Sequence, residues 1–266
     1  MLMKMMITCG FMLALLTALW LLQDRLIYYP RHYGIPVEHL PSIITPLRYE
    51  TTEGQQTAFY LAPKAAPLNR VWFVFGGNAS LALDWQAGLQ RMAAANDCFV
   101  LVDYPGFGYS QGYPSARAID ESSEALFVRV AAHLELTAAQ LETRLALLGH
   151  SLGAAAALQM TARHRPVRIV LLSPFISLRA AASDVFGFWV QPLVRNHYDN
   201  QARLLALVGS PPSTTIVHGR RDEIIPVTHS RALAEQFAWL HYIEIEDAYH
   251  NDLFDKAEDQ LRKVLQ

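Results

Sequence analysis

Residues 145–153, LALLGHSLG, decide the fold. The apolar first half reads as a strand buried on both faces, and Gly149-His150-Ser151-Leu152-Gly153 then turns sharply into the alanine-rich residues 154–162, which read as a helix. G-x-S-x-G between a strand and a helix is a nucleophile elbow. A serine on so tight a turn has a strained backbone, and side chains at 149 and 153 would collide with the neighbouring strand and helix. The turn lifts the Ser151 hydroxyl clear of the sheet. It also sets it at a helix N-terminus, where the dipole and free N–H groups favour a developing negative charge.

Outward from the elbow, short apolar runs alternate with helical patterns. Residues 71–75, 98–102, 167–172, 214–217 and 241–245 read as strands, and 82–96, 116–134, 232–237 and 253–265 as helices. Residues 48–52 and 57–62 read as a strand pair around Glu53-Gly54-Gln55. This alternation predicts an α/β fold with a mostly parallel central sheet and helices on both faces. Residues 174–212 form the longest insertion between strands and are expected to make a short cap.

The 266 residues suffice for one large domain, expected over 47–266. Lys and Arg number 22 against 24 Asp and Glu, so no basic patch or acidic tail calls for nucleic acid. Of the two cysteines, Cys9 lies in an apolar segment and Cys98 opens a buried strand, so no disulfide is expected between them. Residues 5–22 carry no charge and are about long enough to span a bilayer, where roughly 17–25 residues suffice. Lys4 precedes them, and Trp20, Tyr28 and Tyr29 suit an interfacial aromatic belt. With no small-x-small site after the apolar run, residues 1–23 are expected to be an uncleaved signal anchor, a cleaved signal peptide being the rival. The short tail before them favours a catalytic domain outside the cytoplasm. Residues 24–46, punctuated by Pro30, Pro36, Pro41 and Pro46, are expected to be a linker.

A nucleophilic Ser151 needs a base and a group to orient it. In the chain order Ser, acid, His, the C-terminal part supplies Asp222, just past a predicted strand end, and His250, in the loop after the last strand. His250 would take the Ser151 proton through Nε2, with Asp222 holding the other ring nitrogen. Asp247 competes for the acid role. His150 is expected to pack locally, His218 to support the acid loop, and His229 and His241 to be ordinary surface or strand histidines. An oxyanion hole would take one N–H from Leu152 and one from the Gly76-Gly77-Asn78-Ala79 loop, with Asn78 preferred over Ala79 or Gly77.

GHSLG, the FGGNA loop, DYPGFGYSQG at 103–112 and HGRRDEIIP at 218–226 together resemble the α/β-hydrolase family. Their order and spacing look most like its membrane-anchored subgroup of protein depalmitoylases and lysophospholipases, over roughly residues 24–266. The resemblance implies a triad of Ser151, Asp222 and His250, and places Asn78 after the family's His-Gly pair. The His of that pair is here Gly76. It also implies that 103–112 braces the elbow and that 174–212 holds the position of the cap, where Phe186 to Val190 would line an acyl pocket or simply pack on the sheet. The expected activity is a serine hydrolase cleaving an ester or thioester through an acyl-enzyme, on a small-molecule or lipid-like acyl substrate. No metal or organic cofactor is expected. A peptidase on the same fold and a catalytically silent scaffold are the other readings.

Overall fold

The wholly apolar runs become inner strands of one eight-stranded sheet, because each must bury both faces, while residues 241–245, which carry His241 and Glu244, form an edge. The computed structural model describes residues 1–195 and 198–266, with the side chains of residues 2, 9, 12, 13, 15, 16 and 19 also outside the described residues. The strands are β1 (Ile44–Thr51), β2 (Gly54–Leu61), β3 (Val71–Phe75), β4 (Cys98–Val102), β5 (Leu145–His150), β6 (Arg168–Leu172), β7 (Ser213–Gly219) and β8 (His241–Ile245). Their order is β1-β2-β4-β3-β5-β6-β7-β8. β1 and β2 form an antiparallel hairpin, β2 runs antiparallel to β4, and every later pairing is parallel. The chain therefore has the α/β-hydrolase fold.

The helices are α1 (Leu2–Leu21), α2 (Gln23–Ile27), α3 (Gln86–Met92), α4 (Ala116–His133), α5 (Ala138–Glu142), α6 (Leu152–Met160), α7 (Leu178–Phe186), α8 (Asn200–Leu205), α9 (Thr228–Gln236), α10 (Leu253–Lys256) and α11 (Glu258–Leu265). Alternation along the strands splits the core into two layers. Val71, Phe73 and Phe75 face the layer closed by α4 and α6, whereas Trp72 and Val74 face the one closed by α3, α10 and α11.

Several boundaries differ from the sequence reading, each for a packing reason. The helix expected over 82–96 is a 3₁₀ turn at Ala82–Trp85 followed by α3, ending where Ala93 becomes extended to carry the chain back to β4. The closing helix is broken at the buried Ala257, so that Leu253, Leu261 and Leu265 all reach the core. β1 begins at Ile44, inside the proline-punctuated stretch, and accommodates Pro46 because it is an edge strand. The rest of that stretch does not hang free of the domain. Tyr28 is buried in the core, its hydroxyl 2.9 Å from that of Tyr198. Arg195 joins Asp24 at 2.7 Å.

The anchor expected over residues 5–22 coincides with α1, several of whose side chains lie outside the described residues. Among the described residues, no helix is long and apolar enough to cross a membrane.

Candidate active site

The parallel strands end together at one edge, and in such sheets ligands bind beyond the carboxyl ends of the strands. At the end of β5, Ser151 has φ 55° and ψ −117°, a conformation that non-glycine residues rarely adopt. Its N–H is fixed by Leu172 O at 2.8 Å. The flanking glycines are obligatory by contact. A Cβ on Gly149 would stand 2.2 Å from Gly153 O, and one on Gly153 would stand 2.1 Å from Phe75 O. The elbow thus lets α6 press against β3 and β5 while the serine crests the turn. Among the described residues, the Ser151 hydroxyl has no hydrogen-bond partner.

Asp222 and His250 arrive from the loops after β7 and β8, and the structure brings them together with His250 Nδ1 2.7 Å from Asp222 Oδ2. The Asp222 side chain is shielded from solvent. Its Oδ1 accepts N–H bonds from Ile224 at 3.0 Å and Ile225 at 2.8 Å, and His218 Nε2 lies 3.1 Å from Oδ2. Burial by itself would push this carboxyl up, but the bonds from His218 and His250 and the Ile225 N–H hold it well below the usual range. His218 is in turn held by Ile225 O at 2.9 Å and the Ser230 hydroxyl at 2.6 Å, which matches the supporting role expected of it. The competing acid, Asp247, turns outward to Lys256 Nζ at 2.8 Å.

His150 closes β5 and touches the same group. Its ring packs on that of His250 with centroids 4.7 Å apart, and its Nε2 donates to His250 O at 3.2 Å. Burial first, and the neighbouring His250 second, push its imidazole down to about 3, so it stays neutral. His229, expected at the surface or in a strand, is instead buried between two elements. Ile176 N–H donates to its Nδ1 at 3.1 Å, and its Nε2 meets Asp184 Oδ2 at 2.6 Å, tying α9 to α7.

The loop after β3 faces the elbow. Leu152 opens α6, so its N–H has no acceptor within the helix. The Asn78 N–H has no acceptor among the described residues, whereas the Ala79 N–H is taken by Asn78 Oδ1 at 3.1 Å. At the position of the family's His, Gly76 has no side chain to contribute, and its carbonyl instead accepts a hydrogen bond from the buried Tyr104 hydroxyl at 2.5 Å. The segment 103–112 therefore braces the stretch after β3, through Tyr104 at Gly76 O and through Asp103 Oδ1, which accepts the Ala82 N–H at 2.8 Å.

In the cap, Phe186, Trp189 and Val190 line an apolar groove of about 470 Å³ whose opposite wall is Trp20, Leu26, Ile27 and Tyr29. Phe188, expected among the pocket residues, points to solvent at 84% exposure. A smaller cavity of about 330 Å³ borders His150 and His250. Among the described residues, no cluster of side chains is arranged to hold a metal.

Residues 72–203 match the model of the Alpha/beta hydrolase family, a span that contains the elbow and the loop after β3 and stops short of Asp222 and His250. The chain is 29% identical over 247 residues to an uncharacterized protein of Mycobacterium tuberculosis, covering 89% of this chain and 83% of that one. It is 28% identical over 138 residues to an uncharacterized membrane protein of Saccharomyces cerevisiae, covering 51% and 47%. A solved esterase of Pyrococcus furiosus superposes with a TM-score of 0.64 at 15% identity, covering 90% of this chain and 98% of the esterase. The matched family model, the strand order and the superposition agree on the α/β-hydrolase fold, and over residues 72–203 the chain is similar to the Alpha/beta hydrolase family.

Proposed function

We propose that the chain is a serine hydrolase that cleaves a carboxylic ester or thioester through an acyl-enzyme, with Ser151, His250 and Asp222 as its triad. The observation that carries this reading is the 2.7 Å bond between His250 Nδ1 and Asp222 Oδ2, made at the edge of the sheet where β5 presents Ser151. With Asp222 ionised, Nδ1 carries the proton and donates it in that bond, which leaves the Nε2 lone pair as the base. Nε2 removes the Ser151 proton as Oγ attacks the acyl carbon. The carbonyl oxygen becomes an oxyanion and is met by the N–H groups of Asn78 and Leu152. Imidazolium then returns the proton to the departing alcohol or thiol. Water repeats the sequence on the acyl-enzyme and frees Ser151.

An apolar groove beside the cap suits an acyl substrate, in keeping with the esterase superposition. The uncharged run at residues 5–22 and the yeast relative's description as a membrane protein support tethering of the 47–266 domain by the N-terminal helix. The test is labelling by a fluorophosphonate, together with turnover of p-nitrophenyl esters of increasing chain length beside a peptide panel. Wild type should label and cleave the esters, and Ser151→Ala should do neither. Labelling retained in Ser151→Ala, or turnover of peptides alone, would defeat the reading.

A further inference from the structure

The loop Gly76–Ser80 is strained where it must be accurate. Ala79 has φ 61°, a left-handed conformation that is unfavourable for a residue with a Cβ and persists only where neighbours hold it. Tyr104 holds one end of the loop, at Gly76 O. The other end is held by the residues that follow α2. Asn78 Nδ2 donates to Ile27 O at 2.5 Å, and Asn78 Oδ1 accepts the Tyr29 N–H at 3.0 Å. Arg31 Nη1 donates to Ala79 O at 3.1 Å.

Between the two backbone contacts stands Tyr28, in extended conformation at φ −96° and ψ 136°. Alternation of side chains along an extended chain explains the arrangement. Tyr28 drives into the core to meet Tyr198, which pins the segment, while the peptide groups on either side of it are presented to the amide of Asn78. A primary amide suits this place because it donates and accepts at once.

We infer that residues 27–31 act as a strap that positions the oxyanion loop, with the Asn78 side chain as its buckle. The inference rests on the reading of the Asn78 N–H as an oxyanion donor. The backbone of Asn78 would touch the reacting oxygen, whereas its side chain, Arg31 and the Tyr29 N–H are positioning groups. The segment leaving the N-terminal helix would thereby belong to the active site.

The experiment uses the full chain, p-nitrophenyl acetate and a boronic acid that mimics the tetrahedral oxyanion. Asn78→Ala keeps the backbone N–H and removes both strap bonds, Tyr29→Pro removes one N–H without touching the loop, and Arg31→Ala removes the bond to Ala79 O from a half-exposed side chain. Losing one oxyanion donor costs about 10²–10³ in kcat, so a displaced donor should cost about 10–100-fold in Asn78→Ala and Tyr29→Pro, with KM within about threefold. Boronate affinity should fall by a similar factor. Arg31→Ala should show the same pattern at about 3–10-fold, and its surface position keeps the test open if the other two fail to fold. Wild-type kcat and boronate affinity in the folded variants would overturn the strap. Activity retained in Ser151→Ala would instead overturn the triad reading, so the two failures are told apart.

Discussion

Replacing Asp103 by Asn should remove a loss of stability that the wild-type protein suffers as pH rises. Asp103 follows β4 and is buried, with Oδ1 on the Ala82 N–H and Oδ2 without a hydrogen-bond partner among the described residues. Burial is the main cause that lifts its carboxyl from 3.8 to about 7, against the pull of the Ala82 N–H and Tyr33. Because the folded value lies above the unfolded one, the native state holds a proton that the unfolded chain releases. The stabilisation is fully present below about pH 4 and is lost as pH rises through about 7. At about 1.4 kcal/mol per tenfold change in proton affinity, linkage between these two values gives about 2.5 kcal/mol lost between pH 5 and pH 8. An Asn keeps the acceptor for Ala82 and cannot ionise. Urea unfolding of both proteins at pH 5 and pH 8 measures the difference, since every other titrating group is common to them. The wild type should lose about 2.5 kcal/mol more than Asp103→Asn over that interval. Parallel pH dependences would refute the reasoning and show Asp103 ionised in the native protein at pH 5.

Asp222→Asn should lower kcat by up to about 10⁴ in a p-nitrophenyl ester assay, because an amide fails to hold the proton on Nδ1 of His250. Asp247→Asn should leave kcat within about twofold, since its carboxylate faces Lys256 at the surface. Gly153→Ala should destabilise the fold by about 3 kcal/mol or more, read by thermal melting, because the new Cβ meets two backbone carbonyls, Phe75 O and Gly76 O, that have no room to move.

The sequence by itself determined the sheet and the elbow that presents Ser151. Doubly buried strands must be short and wholly apolar, so β3 and β4 carry the limits that their composition predicts. The elbow was equally legible, because two glycines around a serine between a strand and a helix satisfy a local steric demand that needs no distant partner. Asp222 and His250 were legible as candidates from chain order alone. What separated Asp222 from Asp247 was tertiary: one carboxylate is enclosed by His218, His250 and two N–H groups, and the other points to Lys256. The strap lay beyond sequence reading for the same reason. Its bonds join residues about fifty apart, Ile27 and Tyr29 to Asn78, and they run from backbone groups, which every residue carries and which leave no mark on composition. Proline spacing marks residues 24–46 as irregular, but irregular backbone is not thereby unattached. Only the packing of Tyr28 into the core decides that this stretch lies against the site.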